Sequence, residues 1–141
     1  MMEAVIALAR QLADEAGANT GLLAEFLRRV TKTGDVDAAD EVILTAVTRE
    51  IDVRRRLMSD YAPDFLRAES GLPAHPSVTM ALAGVFLLSA VQADGRGDRA
   101  LALKRLNTAW KAADLGRSDA DCSRLQALLL AATERICAEA T

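Results

Sequence analysis

Apolar residues recur along most of this chain at spacings of three and four, the period that gathers them on one side of an α-helix. One stretch departs from that rule. From 78 to 91 the run Val78-Thr-Met-Ala-Leu-Ala-Gly-Val-Phe-Leu-Leu-Ser-Ala-Val91 is apolar on nearly every face, and a helix apolar all round is a buried one. Pro76-Ser77 and Asp94-Gly95 supply its ends: the Ser hydroxyl accepts from the free N–H groups of a first turn, and Gly suits a left-handed closing residue. Its fourteen residues span about 21 Å, short of the roughly 30 Å hydrocarbon layer of a bilayer, so it reads as a core helix and not a membrane span. The rest of the chain must wrap it.

The flanking pattern provides the wrapping. The spacing predicts a helix over residues 3–16, with Val5, Leu8, Ala9, Leu12 and Ala16 on one stripe and Gly17 as its stop. Asn19 or Thr20 caps a second helix to about Lys32, with Leu22, Leu23, Phe26, Leu27 and Val30 inward, and so short a link makes the pair antiparallel. After Gly34, Asp35 and Asp37 supply caps and favourable negative charge for a third helix reaching about Asp60. Its apolar seam is a drifting one of Val36, Ala39, Ile43, Val47, Ile51 and Leu57, widened by Leu44, Met58 and Tyr61. Pro63-Asp64 begins a short helical turn to Glu69. Residues 71–76 form the clear break, an elbow too short and too apolar for a flexible linker.

Beyond the central run, Gly95-Arg-Gly-Asp98 turns into a helix ending near Leu115, with Leu103, Leu106, Ala109, Trp110 and Ala113 inward and Gly116 as its stop. Ser118 and Asp121 make a capping-box-like start for a last helix in which Cys122, Leu125, Leu128, Leu129, Ala132 and Ile136 recur at helical spacing. The expected fold is therefore all-α: a compact bundle or short solenoid of about six helices around residues 78–91. A three-helix part, 1–70, and a second, 77–141, form one domain joined by the elbow.

Composition agrees. A chain of 141 residues suffices for one core. Ala and Leu dominate and β-branched residues are sparse, which favours helix. Only three of seventeen basic residues are Lys, a bias typical of a GC-rich bacterial genome. The net charge of −3 argues against a phosphate-backbone binder, so no nucleic-acid partner is expected. Residues 1–70 carry nine basic and thirteen acidic side chains, whereas residues 96–117 carry six basic against Asp98 and Asp114. Glu3 follows Met1-Met2 with no basic n-region, so the start does not read as a secretory signal, and a cytoplasmic location is expected. Cys122 and Cys137, about 22 Å apart along one helix, cannot pair within it and read as small buried hydrophobes.

Residues 82–114 carry one resemblance. Gly97-Asp98 matches an inter-helix turn, and Ala102, Leu106 and Ala109 alternate small, large and small on the following helix, with Phe86 at an aromatic position before the turn. The segment resembles one copy of a tetratricopeptide-type helix-turn-helix, in which small residues let two helices cross closely. Ser89 and Ala93 stand where that family has large apolar residues, and Asp114 where it has Pro. The resemblance covers about a quarter of the chain. It implies a scaffold that holds a partner segment, and no chemistry.

Catalytic and metal-binding patterns find little support. The single His, His75, has no close ligand pair, and Leu72 stands where a Glu-x-x-His pair needs its acid. The acid run from Asp35 to Glu41 lacks the Gly and Glu that a calcium loop needs at Asp40 and Ala46. Gly95-Arg-Gly97 follows a helix and lacks the third Gly of a dinucleotide fingerprint. Neither Cys has a nearby His. As a DNA-reading element, the third helix would lead with Asp37, Asp40 and Glu41 and be repelled by phosphate.

The expected function is a non-enzymatic helical protein–protein interaction module: an adaptor, chaperone or regulatory subunit without a cofactor. Two surfaces are candidates for an acidic partner or an anion. One is the triplet Arg54-Arg55-Arg56, which Glu50, Asp52 and Asp60 can partly neutralise along the helix. The other is an exposed basic face of Arg99, Lys104, Arg105 and Lys111. The alternatives are a small-ligand or anion-binding protein or enzyme, with a pocket between the halves near Tyr61, His75 and Trp110, and a structural homo-oligomer.

Overall fold

The computed structural model describes residues 2–15, 22–59, 76–114 and 120–138. They form six helices: α1 (Met2–Glu15), α2 (Leu22–Thr33), α3 (Ala38–Ser59), α4 (Pro76–Gly95), α5 (Arg99–Asp114) and α6 (Ala120–Ala138). No strand occurs among the described residues. The protein is an all-α bundle. The expected helical turn at 63–69 and most of the elbow, residues 71–75, lie outside the described residues.

α4 is the central helix that its sequence implies. Residues 80–90 are all buried, Phe86, Leu82, Val85 and Leu87 completely. α1, α2, α5 and α6 pack around it, and the buried side chains of all six helices form one cluster. α5 makes the most extensive contact with α4. Ala81, Ala83, Ala90 and Ala93 on α4 and Ala102, Ala109, Ala112 and Ala113 on α5 are all buried, and such small side chains let two helices approach closely.

The ends of α4 differ from expectation by a residue or two. Pro76 opens the helix, where its fixed φ and missing N–H cost nothing, so Ser77 lies inside the first turn instead of capping it. At the other end the left-handed residue is Gly97 (φ 81°), not Gly95. The Asp98 N–H reaches back to the Ala93 carbonyl (2.9 Å) and the Gly97 N–H to the Asp94 carbonyl (3.0 Å), the paired bonds of a Schellman ending. Asp98 then caps α5, its Oδ1 accepting from the Leu101 N–H at 3.2 Å. One residue closes α4 and starts α5, which fixes a tight hairpin.

α2 ends on Gly34 (φ 70°), whose N–H bonds to the Val30 carbonyl at 2.8 Å. Two arginines serve other helix ends. Arg10 of α1 donates to the Thr31 carbonyl near the end of α2 (2.7 Å), and Arg99 of α5 donates to the Ile136 carbonyl near the end of α6 (2.9 Å). Each satisfies a carbonyl that has no partner within its own helix and meets the negative end of the helix dipole.

The described inner residues of α2 and α6 agree with the pattern: Phe26, Leu27, Val30, Leu125, Leu129, Ala132 and Ile136 are buried. Three expectations need correction. In α3 the buried seam is Asp40, Leu44, Val47 and Ile51, continuing from Val36 just before the helix, so Ala39 and Ile43, expected inside, lie exposed. In α5, Leu103 is exposed while Arg105 and Thr108 are buried. Cys137 is exposed, not a buried hydrophobe, and the side chain of Cys122 lies outside the description. Among the described residues, no helix is long and apolar enough to cross a membrane.

Candidate functional site

α3 packs on α5 and adds Leu44, Val47 and Ile51 to the core, and polar side chains tie it to α2 and α4 as well. The ties begin before the helix does. Gln92 of α4 brackets the α2–α3 connection: its amide nitrogen donates to the Gly34 carbonyl (3.0 Å) and its oxygen accepts from the Val36 N–H (3.1 Å). Asp37 Oδ1 accepts from the Asp40 N–H (2.9 Å), and Asp40 Oδ2 accepts from the Asp37 N–H (3.0 Å). This is a reciprocal capping box with Asp in the place usually held by Glu.

The other Asp40 oxygen accepts from the guanidinium of Arg29 on α2, which also stands 5.7 Å over the Phe26 ring. Burial disfavours the charged form of Asp40. The hydrogen bonds from Arg29 and from the Asp37 backbone outweigh it and hold the carboxyl below its ordinary pKa. That explains how an acid can occupy the buried seam.

One residue further, Glu41 is the centre of a second cluster. Arg105 of α5 is 4% exposed; its Nε donates to Glu41 Oε2 at 2.9 Å, and its Nη2 forms an ion pair with the same oxygen at 2.8 Å and donates to the Glu41 carbonyl at 3.3 Å. Nη2 also donates to Thr45 Oγ1 at 3.0 Å. The Ser89 hydroxyl, fully buried on α4, donates to Glu41 Oε1 at 2.6 Å. At the opposite end of the α3–α5 contact, Lys111 Nζ pairs with Asp52 Oδ1 at 2.9 Å. Such a cluster fixes register: a shift of α3 by one turn leaves Arg105 buried without its counter-charge, which costs several kcal/mol.

The inner side of α3 is thus held in place, while the outer side is bare. Ala39, Val42, Ile43 and Ala46 are exposed along two turns, and Val42 is 71% accessible. Exposed Asp35 and Asp37 precede this apolar patch and exposed Arg49 follows it. The arrangement keeps the Ser89 hydroxyl and its Glu41 acceptor on the buried inner side. It offers a fixed, apolar helix face with opposite charges at its two ends.

The residues singled out from sequence fall differently. Three of the four expected basic-face residues are engaged inside the fold: Arg105 is buried against Glu41, Arg99 serves the end of α6, and Lys111 binds Asp52. Lys104 is exposed. Residues 54–56 lie on α3, but the side chains of Arg54, Arg55 and Arg56 lie outside the description, and Asp52, expected to pair with Arg56, binds Lys111. Tyr61 and His75 also lie outside the described residues. Trp110 is half-buried, and its indole N–H donates to Thr133 Oγ1 across the α5–α6 contact at 3.0 Å. Among the described residues no group of His, Cys, Asp and Glu could hold a metal ion.

Sequence reasoning missed Val42 and the Glu41–Ser89–Arg105 cluster. A single Ser in the middle of an otherwise apolar buried helix was the available signal for the cluster. A separate apolar groove of about 290 Å³ is lined by Ala4 of α1 and by Arg124, Ala127 and Leu128 of α6. No family model, curated protein or solved structure matches the chain.

Proposed function

We propose that this protein is a non-enzymatic interaction module whose binding surface is the outer face of α3. The observation that carries the reading is the exposure of Val42, with Ile43, Ala39 and Ala46, on a helix whose inner side is fixed by ion pairs to α2 and α5. A contiguous exposed apolar face marks an interaction site more often than isolated apolar residues do. A pre-ordered helix loses little conformational entropy on binding. The tetratricopeptide-like hairpin supports the scaffold part of the reading only. Its first helix, α4, is buried along 80–90 and leaves no groove there.

The test is a photo-cross-linking amino acid in place of Val42, expressed in host cells, with the same residue in place of Asn107, exposed on α5, as control. The expected outcome is a covalent adduct of defined mass from position 42 that is missing from position 107 and abolished by Ile43→Glu. Identical patterns from the two positions, or no adduct from either, would remove α3 as the binding surface.

The groove between α1 and α6 favours a second reading, a site for a small apolar ligand. A saturating ligand raises the melting temperature by mass action. That shift disappears with Ala127→Trp if the groove is the site.

A further inference from the structure

We infer that the outer face of α3 takes a second copy of this chain, with the two α3 helices antiparallel about a two-fold axis that passes between Val42 and Ile43. The inference rests on the reading of that face as a binding surface and names its occupant. An isologous contact must be complementary to itself, because any residue i that meets j of the other copy is met by j in turn. The exposed residues of α3 have this symmetry. With the axis between Val42 and Ile43, each Val42 meets the Ile43 of the second copy, and each Ala39 meets its Ala46.

The ends of the patch are complementary in charge as well. Arg49, one turn beyond Ala46, comes to lie beside Asp35 and Asp37 of the second copy, and the same contact recurs on the other side of the axis. A parallel pair would instead set Arg49 against Arg49 and Asp37 against Asp37. Antiparallel helices also oppose their dipoles, and the small residues at both outer positions let the backbones come close. The patch is two turns long and falls below the roughly 800 Å² per partner of a stable dimer. The dimer is therefore weak and concentration-dependent.

The register has its own test. Ala39→Cys and Ala46→Cys are made separately in a Cys122→Ala, Cys137→Ala background, and the two proteins are mixed at high concentration under mild oxidation. Antiparallel pairing yields a disulfide dimer containing one chain of each kind, in at least tenfold excess over the dimers that either protein forms alone. Two copies of residue 39 stand about 10 Å apart along the axis, whereas a disulfide needs Cα atoms within about 7 Å. Mass spectrometry maps the bridge, so the test runs equally with Cys122 retained.

Bridging of Ala39→Cys to itself would overturn the inference in favour of a parallel pair. No bridge in any mixture would overturn it as well. If the cross-linker at position 42 then still captures a different polypeptide, the surface stands and its occupant is another protein. If it captures nothing, the surface fails too.

Discussion

Gly97 and Gly95 lie two residues apart and make opposite demands. Gly97 holds φ 81°, a region that a Cβ disfavours by about 1–2 kcal/mol, whereas Gly95 lies within the helix. A Cβ built at either position meets nothing within 4 Å, so packing does not enter and only the backbone decides. Gly97→Ala is expected to lose about 1 kcal/mol and Gly95→Ala to gain about 0.4–1 kcal/mol, read as opposite shifts of the urea midpoint at constant slope. Shifts of the same sign would contradict the Schellman ending. The sequence shows both glycines and cannot tell them apart, because the helix stops where tertiary packing lets it. Arg105 teaches the same lesson: its charge is legible, but its partner Glu41 is 64 residues away in the chain.

At the scale of the element, α3 shows why a periodic pattern can be read in the wrong phase. It is apolar on two sides, Leu44, Val47 and Ile51 on one and Ala39, Val42, Ile43 and Ala46 on the other, and a seam drawn through Ile43 mixes them. The deciding residue is Asp40, which an apolar count leaves out and which Arg29 allows to be buried. If the polar cluster fixes this phase, removing Arg105 should be felt by the whole molecule. Arg105→Met leaves Glu41 without its counter-charge, with the Ser89 hydroxyl still donating to it. Loss of one partner of a buried pair costs about 3–5 kcal/mol, and because Glu41 is partly exposed the low end, about 3 kcal/mol, is expected in chemical denaturation. Adding Glu41→Met and Ser89→Ala should recover more than half of that loss. A single-mutant cost below about 0.5 kcal/mol, the range of a surface substitution, would show that the cluster does not hold α3.

For the molecule as a whole, the six helices and the central position of α4 were legible because they follow from binary pattern and end signals, which act locally. The binding surface proposed on α3 was not. It consists of what remains exposed after packing, and three of the basic residues that looked available are engaged within the fold. Charge counted along a sequence cannot separate a base that pairs internally from one that faces solvent. The central claim, that the outer face of α3 associates with another copy while the rest of the surface does not, is tested most directly by sedimentation velocity over a wide range of concentration. The samples are the wild type, Val42→Glu and Leu130→Glu, the last replacing an exposed apolar residue on α6. The expected result is a mass that rises with concentration equally in the wild type and Leu130→Glu, while Val42→Glu stays monomeric with an unchanged melting temperature. A wild type that is monomeric throughout, or a Val42→Glu protein that associates like the wild type, would contradict the account.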